Sequence, residues 1–294
     1  MSLFYHELLA GFDPQFQSLV SSWISLMLAV VLVCFTVSEI TRNYSQVDKL
    51  WSLVPLAYGW MTVAAYPSPR ILLMASLVSV WGLRLSFNFY RKGGYNIIPW
   101  KGEEDYRWKI LKETTFLSGR LRFGIFNLLF ISFYQNLLIL LFSTPLLMAA
   151  MYNNSPLGAT DLIAAVLMLL FIITETIADN QQFRFQSAKR NPAVNEHPYA
   201  ESVRKGFLTE GLWKYVRHPN FASEQAIWIS FYLFSVAASG KWINFTLAGP
   251  VLLVLLFIGS SVMTEKISSG KYPDYNAYQE QVPKFLPRIF RGRK

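Results

Sequence analysis

The sequence predicts an all-α integral membrane protein with about seven transmembrane helices, an outside N-terminus and a cytoplasmic C-terminus. The first observation is the composition, because 53% of the 294 residues are hydrophobic, 16% are aromatic and only 15% are charged. Soluble domains carry about 25% charged residues. The second observation is a series of long apolar runs, and the third is the distribution of Lys and Arg between those runs.

Seven apolar runs are long enough, or nearly so, to cross about 30 Å of hydrocarbon as helices. They cover residues 18–40, 50–66, 70–90, 122–150, 159–180, 221–239 and 242–264. The second run is short and contains Pro55, and the fourth is long enough to be tilted or broken at Pro145. Residues 1–17 contain no Lys or Arg and no small-residue cleavage pattern, so we expect no removable signal peptide.

Lys and Arg are concentrated in alternate connecting segments. The loops at 41–49, 91–122 and 181–220 and the tail from residue 265 hold 24 of them, whereas the opposite side holds only Arg70 and Lys241. Cytoplasmic segments carry such an excess, which sets the predicted orientation. Topology therefore accounts for the net charge of +9, and we expect no nucleic-acid partner. A bacterial inner membrane is favoured over the endoplasmic reticulum as the location.

The cysteine and histidine content limits metal and redox chemistry. The single cysteine, Cys34, lies inside an apolar run, which allows neither an intramolecular disulfide nor a thiol-based metal cluster. The histidines, His6, His197 and His218, are scattered without metal-ligand spacing, so we expect no metal site. No internal repeat is present, and we expect a single membrane domain over residues 1–294.

Ionisable side chains inside membrane spans are costly unless they are paired or reached by water, which makes them candidates for function. Five residues stand in such positions: Glu39, Arg84, Glu175, Asp179 and Glu224. Glu39 is near a helix end and could simply reach the interface, whereas Arg84 could reach the interface or an internal cavity. Glu175 and Asp179 are four residues apart, so they share one helix face.

Asp48 precedes the second predicted span, in the segment Gln-Val-Asp-Lys-Leu-Trp. An Asp one turn before a helix is ordinarily an N-cap. The alternative is a partly desolvated carboxyl group that becomes a proton donor, because burial raises a carboxyl pKa. The sequence leaves both interpretations open.

The segment 208–224 gathers polar and aromatic side chains at a predicted membrane boundary. It reads Leu-Thr-Glu-Gly-Leu-Trp-Lys-Tyr-Val-Arg-His-Pro-Asn-Phe-Ala-Ser-Glu. Aromatic faces, an Arg that grips phosphate and an Asn amide suit a nucleotide-like ligand. Pro219 disfavours helix at His218, so the next span is predicted to begin after it and to aim free N–H groups at an anion. No Gly-x-Gly-x-x-Gly or Walker loop is present, which excludes a soluble Rossmann-type site.

The chain resembles a membrane superfamily that includes the steroid 5α-reductases, the sterol C14 reductases and the isoprenylcysteine carboxyl methyltransferases. The resemblance rests on Gly211–Phe221 with Glu224 following, on Asp48–Trp51 (Asp-x-x-Trp) and on Trp81–Leu85 (Trp-Gly-x-Arg-Leu). It is similar most of all to the bacterial branch of the 5α-reductase-like proteins. The resemblance implies an NADPH-dependent reductase that saturates a C=C bond conjugated to a ketone, in a steroid-like or other lipid.

The resemblance also implies a cofactor-binding half, 159–294, and a substrate-binding half, 18–150. The nucleotide contacts would be Asp179, Gln181, Arg184, Lys189, Arg217, His218, Asn220 and Glu224. Trp213, Tyr215 and Phe221 would pack against the nucleotide, and Tyr275 and Tyr278 would close the site from the tail. For the two tyrosines, anchoring at the membrane interface is an equal alternative.

For the substrate half, the resemblance implies that Asp48 is the acid at the ketone. The family's tyrosine has no unambiguous counterpart in this chain: Trp81 falls where it is expected, and Asn88 and Tyr90 are alternatives, of which Tyr90 is assigned as catalytic. Substrate contacts are expected from Trp51, Trp81, Arg84 and Asn88. Two other classes stay open: a methyltransferase that uses S-adenosylmethionine on a lipid-borne substrate, and a lipid-binding protein or transporter without catalysis. The oligomeric state is not predicted.

Overall fold

The protein is described here from a computed structural model. The structure describes residues 11–96, 98, 101–114, 116–190 and 198–288. Within these ranges the chain is helical and forms no β-strand. His6 and His197 lie outside the described residues.

Thirteen α-helices occur in the described chain. They are α1 (Pro14–Thr41), α2 (Gln46–Leu50), α3 (Val54–Ala65), α4 (Pro69–Arg91), α5 (Tyr106–Thr114), α6 (Arg120–Phe126), α7 (Gln135–Ser143), α8 (Pro145–Met151), α9 (Ala159–Ala188), α10 (Ala200–Lys205), α11 (Pro219–Ser239), α12 (Ala248–Lys271) and α13 (Tyr275–Gln281). A π-helical stretch, Asn127–Tyr134, joins α6 to α7, and single 3₁₀ turns cover Gly211–Lys214 and Phe245–Leu247.

Five helical stretches of the described chain are long and apolar enough to cross a membrane. They are Pro14–Thr41, Pro69–Arg91, Arg120–Met151, Ala159–Ala188 and Phe245–Lys271. The all-helical membrane class is therefore confirmed, whereas the count of seven spans and the orientation stay predictions. The second predicted run forms α3, which has 12 residues and spans only about 18 Å. The sixth run forms α11, whose first turns contain Asn220, Glu224 and Gln225.

Local sequence signals explain where these helices begin and break. Asp13 caps α1 by accepting a hydrogen bond from Phe16 N at 2.9 Å on Oδ1, and Ser68 caps α4 in the same way. Pro55 lies in the first turn of α3, where a missing N–H is tolerated. The predicted break at Pro145 is confirmed, because α7 ends at Ser143 and α8 begins at Pro145.

The chain divides into two compact units. The first unit contains the residues up to Ala165 and Ser230–Leu252, and the second contains Val166–Ile229 and Leu253–Lys294. Every predicted catalytic and substrate-binding residue lies in the first unit. Every predicted cofactor-binding residue lies in the second.

Small residues allow α3 and α4 of the first unit to pack closely. A Cβ on Gly82 would lie 2.5 Å from the backbone oxygen of Ser52, and a Cβ on Gly59 would lie 3.3 Å from the Cβ of Ala75. Such contacts are typical of helix pairs in membranes, where small residues let backbones approach. Many apolar side chains of the long helices remain exposed, including Leu32 and Leu83, as expected for surfaces that face lipid.

A buried ion pair connects the start of α4 to the start of α9 in the first unit. Arg70 Nε donates to Asp161 Oδ1 at 2.7 Å, and Arg70 Nη2 donates to Asp161 Oδ2 at 2.9 Å. The same guanidinium donates to the backbone oxygens of Ser155 and Pro156 at 3.1 and 2.7 Å. Both charged side chains are almost fully buried, so Arg70 holds together α4, α9 and the loop that precedes α9.

Candidate functional site

In the first unit, the segment before α5 folds onto the turn between α1 and α2. Asn43 Nδ2 donates to the Gly102 oxygen at 2.7 Å, and the Tyr44 backbone N–H donates to Glu104 Oε1 at 2.7 Å. The Asp105 backbone N–H donates to Ser45 Oγ at 2.9 Å. These bonds join residues about 60 positions apart. They bring Asp105 close to α2, the helix that contains Asp48.

Asp48 lies at the centre of this contact, in what we call the carboxyl cluster: Asp48, Asp105, Arg107 and Trp108. The Trp108 indole N–H donates to Asp48 Oδ2 at 3.5 Å. Arg107 Nε lies 3.0 and 2.9 Å from the two carboxylate oxygens of Asp105. The cluster therefore contains two acids, one guanidinium and one indole donor at the edge of an apolar unit.

The environment of Asp48 stabilises its protonated form more than water stabilises that of an ordinary Asp side chain. Burial raises the pKa of Asp48 to about 6, with a further contribution from the negative charge of Asp105. A carboxylic acid with such a pKa is a competent proton donor near neutral pH, which an ordinary surface Asp is not. Asp48 is the third residue of α2 rather than its N-cap, and Ser45 occupies the cap position.

The other predicted residues of the first unit occupy different environments. Trp51 follows α2 and packs against Phe142, with ring centroids 5.8 Å apart. Trp81 is fully buried, and Asn88 is buried with its Oδ1 accepting from Arg91 Nε at 2.9 Å. Arg84, one turn after Trp81 on α4, is partly buried.

Tyr90 lies in the last turn of α4 with 64% of its surface exposed. Tyr90 is therefore more exposed than Asp48, which is partly buried. Of the two predicted catalytic residues, Asp48 has the environment that suits general-acid chemistry.

In the second unit, Arg217 and His218 are joined to the end of α12 and to the C-terminal segment. Arg217 Nε donates to Glu265 Oε1 at 2.7 Å, and His218 Nε2 lies 2.9 Å from the same oxygen. Arg217 Nη1 donates to the Gln279 oxygen at 2.8 Å and also to the Val282 oxygen. The Arg217 guanidinium therefore links its own segment to α12 and to the C-terminal segment, in addition to any contact with a ligand.

Glu265 is a site residue that sequence reasoning did not identify. Its Oε2 accepts from Gln279 Nε2 at 3.2 Å and pairs with Lys284 Nζ at 3.3 Å. One buried carboxylate thus gathers three basic side chains from the turn and the tail. The residue falls one position after the last predicted span, 242–264, so the search for ionisable groups inside spans passed over it.

The turn that precedes α11 is attached to α9 through its aromatic and glycine residues. Trp213 Nε1 donates to the Ala178 oxygen at 3.3 Å, and the Leu212 backbone N–H donates to Gln181 Oε1 at 3.0 Å. Gly211 has a φ of +62° and a Cβ there would lie 2.3 Å from Gln181 Nε2. Gln181 and Trp213, predicted to contact a nucleotide, therefore position the turn.

Tyr275 and Tyr278 pack inside the second unit. Both are buried against Phe207, with ring centroids 5.0 and 5.3 Å from it. The Tyr278 hydroxyl donates to the Trp213 backbone oxygen, and burial raises its pKa. The two tyrosines link the C-terminal segment to the same turn.

Two lysines flank Tyr272 near the ends of α9 and α12. Lys189 Nζ donates to the Tyr272 hydroxyl at 3.3 Å, and the Lys189 and Lys271 ammonium groups lie 5.3 and 5.4 Å from the ring centroid. Burial acts to raise the pKa of Tyr272, but the bond from Lys189 and the two positive charges lower it. Both lysines are exposed, so this is a local positive surface.

The remaining predicted residues fall into two groups, buried acids and accessible side chains. Asp179 and Glu224 are buried, and Glu224 Oε1 accepts from Trp228 Nε1 at 3.1 Å. Arg184 and Tyr215 are exposed. Phe221 stacks on the His218 ring, with centroids 5.4 Å apart and planes 19° from parallel.

Asn220, at the start of α11, presents an orphaned acceptor. Among the described residues nothing donates a hydrogen bond to its buried Oδ1. A buried amide oxygen without a donor costs about 1–3 kcal/mol, so the position is suited to a ligand that supplies one. In the described part of the chain, no group of three or more His, Cys, Asp or Glu side chains could hold a metal ion.

Comparison with known proteins assigns this chain to a family. Residues 34–282 match the family described as a protein of unknown function, DUF1295. The chain belongs to the DUF1295 family. A relative from Schizosaccharomyces pombe (strain 972 / ATCC 24843), called uncharacterized protein C594.04c, is 36% identical over 280 residues, covering 90% of this chain and 79% of the relative. No solved structure matches the DUF1295 chain.

Glu265 is expected to stabilise the fold of this DUF1295 protein. We expect Glu265→Gln to lower the free energy of unfolding by about 2–3 kcal/mol, because charge-assisted hydrogen bonds to Arg217 and His218 are weakened together. The measurement is a denaturing-detergent titration of the protein in mixed micelles. The exposed Glu280→Gln is the matched control and should unfold as the wild type does. Equal stability of the Glu265 variant would contradict the assigned role.

Proposed function

We propose that the protein is an integral membrane, NADPH-dependent reductase that saturates a C=C bond conjugated to a ketone in a lipid. The observation that carries the proposal is the partly buried Asp48 carboxyl beside Asp105, with a pKa of about 6, in a unit built from long apolar helices. The sequence resemblance to the steroid 5α-reductase-like proteins supports the same reaction. It also supports seven spans with the N-terminus outside and the C-terminus cytoplasmic.

Asp48 would act on the ketone oxygen of the substrate. When a hydride adds to the β carbon, the π electrons move to that oxygen and an enolate develops. The protonated Asp48 carboxyl can donate a hydrogen bond, and then its proton, to the oxygen, which lowers the energy of the charge as it forms. The enol returns to the ketone by taking one proton from water at the α carbon while its hydroxyl proton returns to the Asp48 carboxylate, so the net change is the addition of one hydride and one proton.

The second unit contains side chains that suit a phosphorylated dinucleotide. NADPH, when bound, supplies the hydride. The orphaned Asn220 Oδ1 can accept from the amide or ribose of a nucleotide, and the exposed Lys189 and Lys271 ammonium groups suit a phosphate. Arg217 and His218 would hold Asn220 in position through Glu265.

Ligand-dependent stabilisation tests the cofactor. We expect NADPH to raise the melting temperature of the purified protein and S-adenosylmethionine to leave it unchanged, because only a ligand of the native state stabilises by mass action. Asn220→Ala should weaken NADPH binding about tenfold by removing one hydrogen bond to the ligand. Isothermal titration measures that affinity, with the exposed Asn276→Ala as the matched control.

Each other outcome identifies a different class of protein. A shift with S-adenosylmethionine alone would replace the reductase by a methyltransferase of a lipid-borne substrate. The absence of a shift with both ligands would favour a lipid-binding protein or transporter. Unchanged NADPH affinity in Asn220→Ala and Arg217→Ala together would remove the cofactor from this turn.

A further inference from the structure

We propose that Asp105, held by Arg107, is a positioning residue whose negative charge increases the protonated fraction of the Asp48 carboxyl. The inference rests on the proposed function, in which Asp48 is the proton donor. It assigns a role to the segment between α4 and α5, which belongs to the loop at 91–122 that the sequence predicted only as a connecting segment rich in Lys and Arg. Neither Asp105 nor Arg107 was singled out by any sequence motif.

The geometry of the carboxyl cluster gives the two acids different roles. Arg107 faces both oxygens of Asp105 through Nε, and the backbone of Asp105 is fixed by its bond to Ser45 Oγ. Ser45 lies three residues before Asp48, so the bond between Asp105 and Ser45 keeps the Asp105 charge near Asp48. Asp48 accepts a long hydrogen bond from the Trp108 indole N–H, at 3.5 Å, and also forms a hydrogen bond with the Ser45 side chain.

The ionisable groups that face Asp48 come from three parts of the first unit. Cys34 is on α1 and Lys49 is on α2, and both interact electrostatically with Asp48. Asp105 and Arg107 come from the start of α5, where Asp105 raises and Arg107 lowers the Asp48 pKa. Lys49 also donates to Gln46 Oε1 at 3.3 Å. Asp105 is thus the neighbouring acid of this set, and its negative charge is the one that raises the pKa of Asp48.

The negative charge of Asp105 and the positive charge of Arg107 must therefore have opposite effects on the pKa of Asp48. Asp105→Asn removes a negative charge, so the charged form of Asp48 becomes easier to reach and its pKa should fall by about one unit. Arg107→Gln removes a positive charge, so the pKa of Asp48 should rise. Disruption of the fold would not produce two shifts of opposite sign.

The experiment is a direct titration of the Asp48 carboxyl in the purified, full-length protein. Difference infrared spectroscopy follows the protonated carboxyl band between pH 4 and 9, and the band lost in Asp48→Asn identifies Asp48. We expect the midpoint to move down in Asp105→Asn, up in Arg107→Gln, and not at all in the exposed Glu103→Gln control. An unchanged midpoint in Asp105→Asn, or shifts of the same sign in both variants, would overturn the proposal.

A second measurement separates this inference from the proposed reaction. If the protein reduces an enone lipid with NADPH, the acid-side pKa of the turnover profile should move with the titrated Asp48 midpoint. Opposite titration shifts in a protein with no reductase activity would support the role of Asp105 and reject the reductase. Reductase activity whose pH profile ignores both variants would reject the role of Asp105 alone.

Discussion

Replacement of Asp48 by Asn is expected to lower turnover by about 10²–10⁴-fold, the usual contribution of a positioned general acid. NADPH affinity should stay nearly unchanged, because the predicted nucleotide contacts belong to the second unit. An Asn side chain keeps the size of Asp and can still donate a hydrogen bond, but it cannot transfer a proton. Single-turnover reduction of an enone lipid, with titration of NADPH in parallel, measures both quantities.

The stability of the Asp48→Asn protein provides the control for this prediction. The folded protein raises the Asp48 pKa from 3.8 to about 6, so the native state holds this proton more tightly than the unfolded chain. The associated stability is present below pH 4 and is lost as the pH rises through 6. Because Asn does not titrate, the variant should lack this fall and should be at least as stable as the wild type at pH 7.

One combination of results would contradict the assignment of Asp48. Normal turnover with weakened NADPH binding would mean that Asp48 acts on the cofactor or on the fold rather than on the substrate. Loss of turnover together with a lower melting temperature at pH 7 would mean that Asp48 supports the structure. The exposed Glu103→Gln should leave both turnover and melting unchanged.

Much of the fold follows from features that are local in sequence. Apolar runs located α1, α4, α9 and α12, since lipid-facing helices need continuous hydrophobic surface whatever their neighbours are. The prediction of one continuous helix over the run at 50–66 was wrong, because the chain turns between Trp51 and Leu53 and leaves a 12-residue α3. Hydrophobicity alone does not distinguish a spanning helix from a short helix buried by other helices.

The candidate site was only partly predictable because its contacts are long-range. Asp48 could be identified from its position beside an apolar run, but Asp105, Arg107 and Trp108 meet it only after about 60 residues of chain fold back. Arg217 and His218 were identified because their side chains are of kinds that bind anionic ligands. Their partner, Glu265, is 48 residues from Arg217, and no local spacing indicates that these charges neutralise one another.

Loss of the Arg70–Asp161 ion pair is expected to have the largest effect on stability. Arg70→Ala leaves the Asp161 carboxylate buried without its guanidinium, which should lower the free energy of unfolding by about 3–5 kcal/mol. Asp161→Ala should have an effect of the same size, because the guanidinium is then left uncompensated. Denaturing-detergent titration in mixed micelles measures both variants.

The double variant distinguishes a paired interaction from general damage to the core. Arg70→Leu with Asp161→Leu removes both charges at once, and replacement of a buried pair by apolar side chains is often nearly neutral. We therefore expect the double variant to be more stable than either alanine variant, with a coupling energy of about 1–3 kcal/mol from a cycle of matched leucine variants. Additive losses would show that Arg70 acts mainly through the Ser155 and Pro156 carbonyls, because those bonds hold the loop whether or not Asp161 is present.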